Sequence, residues 1–72
     1  MNEPKMNEKE IFELIIKADE KLKYSTEQNA AQRRGQAVEL LVQARDAARE
    51  AGNEQLVEQA ETRLADLGAE GR

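Results

Sequence analysis

At 72 residues the chain has room for one domain and one small core. It contains neither cysteine nor histidine, which excludes disulfide scaffolds, thiolate zinc sites and cysteine nucleophiles and removes the commonest general base near neutral pH. A net charge of -4, with 36% of residues charged, suits a solvated surface and argues against a phosphate backbone as partner. The expectation is therefore a protein that is no enzyme, needs no cofactor or metal and binds no nucleic acid. The densest apolar stretch, IFELIIKA, is too short to span a bilayer and is broken by Glu13 and Lys17, so no membrane insertion is expected and the location is read as cytoplasmic.

The segment MNEKEIFELIIKADEKLKY opens with several helix-start signals. Asn7 is placed as N-cap, Glu10 three residues later as its capping-box partner, and Met6 can staple onto Ile11. A first helix is expected over about residues 8–24. At about 100° per residue Ile11, Leu14, Ile15, Ala18 and Leu22 share one stripe, which Phe12 and Ile16 widen on one side. Glu13 with Lys17, and Asp19 with Lys23, stand in the favourable i,i+4 order of a solvent face.

Ser25 followed by Gln28 offers a second capping box, and a second helix is expected over about residues 26–51. Gly52 is placed as a C′ glycine after Arg45 and Arg49, and Asn53 caps the next helix at once. Gly35 interrupts the phrase and disfavours a helix interior by about 1 kcal/mol relative to alanine. Ala30, Ala37, Leu41, Ala44 and Ala48 nevertheless stay in phase across it, which predicts one long helix, with a loop through Gly35 as the alternative.

A third helix is expected over about residues 54–67, with Leu56, Val57, Ala60, Leu64 and Leu67 on one face and Gly68 as its stop. Residues 1–6 and 69–72 are expected to be flexible. No alternating run reads as a strand. The expected fold is all-α, a single antiparallel three-helix bundle over residues 1–72, with Leu41 and Ala44 at the central crossing between Ile15 and Ala18 on one side and Ala60 and Leu64 on the other.

Ile15, Ala18, Asp19, Lys21 and Leu22 match Val57, Ala60, Glu61, Arg63 and Leu64 in order and spacing, as in a helical array cut after one and a half units; chance similarity between two amphipathic helices is the other explanation. Over residues 11–67 the chain resembles a tetratricopeptide-like repeat. Its second-helix pattern falls on Ala37, Leu41 and Ala44, and its first-helix pattern on Ile15, Ala18, Asp19 and Leu22. Asp19 and Leu22 stand where that family has a small residue and an aromatic, and its terminal proline is absent. The chain is also similar to the microtubule-interacting-and-trafficking domain, a three-helix bundle built like one and a half such repeats, through IIKADEKLKY, AVELLVQARDAA and EQAETRLADL. Both resemblances imply a scaffold that holds peptides or helices in a groove.

Phe12, Ile16, Val38 and Val42 lie on the flanks of their stripes. They are either a protein-binding surface or the margin of a wide core face. Arg33 and Arg34 can serve an acidic peptide or simply a solvated face, and Tyr24 is read as a plug over the core. Asp19, Glu20, Glu58 and Glu61 form no acid–base pair and are read as surface charges. Two functional classes follow: a small adaptor that binds a partner's peptide or helix, or a structural self-association unit in which the partner is another copy of the chain.

Overall fold

The computed structural model describes residues 6–68, which form three α-helices: α1 (Glu8–Lys23), α2 (Ala30–Ala51) and α3 (Glu54–Asp66). The fold is an all-α three-helix bundle, with no strand among the described residues. The expected flexible segments at residues 1–5 and 69–72 lie outside the described residues. Met6, placed to staple onto Ile11, packs half-buried against the core cluster that contains Ile11.

The start of α1 follows its sequence signals. The Asn7 side chain accepts from the Glu10 amide at 2.8 Å, and the Glu10 carboxylate accepts from the Asn7 amide at 3.1 Å, so two otherwise orphaned donors satisfy each other's residues. Glu8 and Glu10 face the positive end of the helix dipole, and Lys21 and Lys23 face the negative end.

The start of α2 departs from expectation by four residues. The reciprocal bonds form between Thr26 and Asn29 rather than Ser25 and Gln28: the Asn29 amide oxygen accepts from the Thr26 N–H at 2.6 Å, and the Thr26 hydroxyl accepts from the Asn29 N–H at 3.4 Å. They close a turn ahead of the helix, and Asn29 then has no side chain left to cap α2. The Ser25 hydroxyl donates instead to the Leu22 carbonyl, tying off α1. Beyond this point α2 runs unbroken through Gly35, and the loop alternative is not realised.

Gly52 takes φ 74°, a left-handed conformation in which its N–H reaches the Arg49 carbonyl at 3.1 Å and that of Asn53 reaches Ala48 at 2.9 Å. These two bonds are a Schellman closure. The Asn53 side chain accepts from Leu56 N–H at 3.1 Å, so α3 begins at once and the chain reverses in two residues.

Two contacts give α1 and α3 a common direction. Glu8 meets Asn53 near the start of each helix, and Asp19 meets Arg63 toward the end of each. The intervening α2 runs antiparallel to both and packs against both, whereas α1 and α3 touch each other little. The core comprises Ile11, Ile15, Ala18, Ala37, Leu41, Ala44, Ala48, Leu56, Ala60 and Leu64. Half of these are alanines with no exposed surface, which lets the backbones approach closely but leaves few large side chains to bury. The six residues expected at the central crossing are all at most 2% exposed.

Candidate protein-binding surface

Each of the four flank residues stands one position after a fully buried residue: Phe12 after Ile11, Ile16 after Ile15, Val38 after Ala37 and Val42 after Leu41. The bundle treats the two pairs differently. On α1, Phe12 is 43% exposed and Ile16 37% exposed. On α2, Val38 and Val42 are half-buried and pack against the core. The cause is position in the bundle, because α2 has a neighbour on each side and α1 packs chiefly against one.

Phe12 and Ile16 line a shallow depression with Lys9, Glu13, Lys17 and Glu20, all on α1. Val38 and Val42 are not among its walls, so the structure joins the first pair into a patch and leaves the second pair apart from it. The four charged residues around the patch are exposed, and none pairs with another described residue. The patch is a small apolar area ringed by exposed charges.

Other charges are engaged in holding the bundle. Arg63 grips Asp19 through two nitrogens, with Nε to Oδ1 at 3.0 Å and Nη2 to Oδ2 at 3.1 Å, while its Nη1 donates to the Gln59 carbonyl at 3.3 Å. Arg49 pairs with Glu61 at 2.8 Å between α2 and α3. Arg34, read as solvent-facing or peptide-binding, donates to the Leu67 carbonyl at the end of α3. These clasps had no sequence signature beyond opposite charges placed beside core positions.

A second depression lies in the seam between α1 and α2, lined by Lys17, Glu20, Lys21, Tyr24, Arg33 and Leu40. Tyr24 does not plug the core: it is 64% exposed, with the Lys23 ammonium 5.6 Å from its ring centroid. No polar or charged side chain among the described residues is buried. No helix among them is long and apolar enough to cross a membrane.

No protein-family model, no curated protein and no solved structure matches the chain.

Proposed function

We propose that this chain is a small non-catalytic interaction module, and that the outer face of α1 receives a helix or extended peptide of a second polypeptide chain. The observation that carries this reading is the exposure of Phe12 and Ile16 side by side, one helical turn apart, in a chain short of large apolar side chains. An amphipathic helix laid along α1 would cover both, in the manner of helix-in-groove recognition. Support for a non-catalytic role comes from the side-chain inventory, which lacks histidine and cysteine, and from the surface position of the described carboxylates.

The tetratricopeptide-like and microtubule-interacting-and-trafficking-like resemblances fit this reading and rest on the same residues as before. Helices of like direction flanking an antiparallel one are compatible with one and a half repeats.

A photoreactive amino acid at Ile16, with Asp46 as a control position on the exposed side of α2, tests the surface in the native host. A discrete cross-linked species from position 16 and none from position 46 is the expected result. Equal labelling from both positions, or none from either, would remove the α1 face as a docking surface.

A further inference from the structure

The rim of the α1 patch carries an order of charges that says what it fits. Along the helix it reads Lys9, Glu13, Lys17, Glu20, alternating in sign, with Phe12 and Ile16 beside it. Reversed, the same series becomes minus, plus, minus, plus, so the strip is complementary to itself when two copies run antiparallel. In a parallel pairing each charge would face its own kind.

Resting on the reading of α1 as a docking face, we infer that its occupant is α1 of a second copy of this chain, packed antiparallel about a two-fold axis at the level of Leu14 and Ile15. Three pairings agree on that axis. The midpoints of residues 9 and 20, 12 and 16, and 13 and 17 all fall at positions 14 to 15. That spread is about 1.5 Å along a helix, within the play of interdigitating side chains. Lys9 then meets the partner's Glu20, Glu13 meets the partner's Lys17, and Phe12 packs against the partner's Ile16. An isologous contact repeats each of these across the axis.

The two parts of the face contribute differently. Phe12 and Ile16 supply the apolar area withdrawn from water, while exposed ion pairs add little affinity and instead select orientation and register. Two half-exposed apolar residues per chain are far less than the roughly 1,600 Å² of a standard interface, so the dimer is weak and concentration-dependent.

Sedimentation equilibrium from about 10 µM to about 1 mM, at low and at high salt, reads the association directly. The wild-type chain is expected to move from monomer toward dimer across this range. Lys9→Glu and Glu20→Lys, each alone, place like charges at both symmetry-related contacts and should raise the dissociation constant roughly tenfold at low salt. An equimolar mixture of the two variants restores opposite charges at both contacts and should associate at least as well as wild type. Damage to the helix itself could not be repaired by mixing. Glu13→Lys with Lys17→Glu repeats the experiment at the second charge pair, independently of any folding defect in the first set.

A wild-type chain that stays monomeric throughout would overturn the self-association, and so would a dimer indifferent to all four single substitutions. Neither result touches the broader reading if the photoreactive residue at position 16 still captures a different polypeptide. A monomer that also captures nothing defeats both.

Discussion

Asp19 and Arg63 join α1 to α3 through a two-pronged contact, Nε to Oδ1 at 3.0 Å and Nη2 to Oδ2 at 3.1 Å, where the two helices otherwise meet little. The forked geometry suits arginine and not lysine. Both side chains are more than 30% exposed, so solvent screening limits the contribution. A double-mutant cycle over Asp19→Ala and Arg63→Ala should return a coupling of about 0.5–1 kcal/mol by urea unfolding. A coupling indistinguishable from zero would mean that this contact adds nothing to the Glu8–Asn53 contact in holding α3 beside α1.

Glycine-to-alanine exchange should have opposite signs at two positions. At Gly35 an added Cβ meets nothing within 4 Å and the backbone is helical, so Gly35→Ala should stabilise the domain by about 0.5–1 kcal/mol. At Gly52 there is equal room, but φ is +74°, and Gly52→Ala should destabilise by about 1–2 kcal/mol. Thermal melts of the two variants should therefore bracket the wild type. A destabilised Gly35→Ala would indicate a helix that bends or opens there.

At the start of α2, Asn29 bonds backward to Thr26 and the first turn carries no acidic residue. Its free amides and positive dipole end are therefore uncompensated by any side chain. Gln32 is exposed in that first turn, so Gln32→Glu should raise stability by about 0.3–1 kcal/mol, less at high salt. Salt-independent or absent stabilisation would show that the α2 start is satisfied in another way.

The same region shows where sequence reading reaches its limit. At Asn7 and Glu10 the expected reciprocal bonds form, because only one residue there can cap and the apolar stripe starts immediately after. Ser25 and Thr26 are adjacent potential caps, and a capping box read from Ser25 and Gln28 competes with an Asn29 amide that accepts the same kind of bond. Nothing local ranks the two, and the choice moves the start of α2 to residue 30. The continuity through Gly35 was legible because Ala37, Leu41, Ala44 and Ala48 beyond it stay in phase with Ala30 ahead of it, although Ala30 itself is exposed. The flank was legible only as a pattern. Phe12 and Val38 occupy equivalent places on their own helices, and their exposure differs because α2 is central, a fact of tertiary arrangement that no single-helix periodicity contains.

Leu41 is one of the three largest fully buried side chains, with Ile11 and Ile15, and the only one of them on α2. Half of the core cluster it belongs to is alanine, whose methyl groups cannot reach far into a vacated volume. Leu41→Ala should cost about 2–5 kcal/mol, a large part of the stability of so small a domain. Ala44→Leu should also destabilise, by about 1–3 kcal/mol, because helices packed on alanine have no room for an added isobutyl group. A melting curve unchanged by either substitution would place the core elsewhere.

The candidate surface makes its sharpest prediction through a matched pair of charge substitutions. Ile16 lies in the α1 patch at 37% exposed, and a carboxylate there can reach water, so Ile16→Glu should leave helicity intact and cost about 0.5–1 kcal/mol. Val42 is half-buried against the core, and a carboxylate there must either lose water or push the helices apart, so Val42→Glu should cost about 1–3 kcal/mol. Circular dichroism and urea titration of both variants give the comparison. Binding at the α1 face should be lost with Ile16→Glu in a chain that is still folded, while any loss with Val42→Glu should track unfolding. If Ile16→Glu unfolds the domain as readily as Val42→Glu, Phe12 and Ile16 belong to the core and the α1 face is not a docking surface.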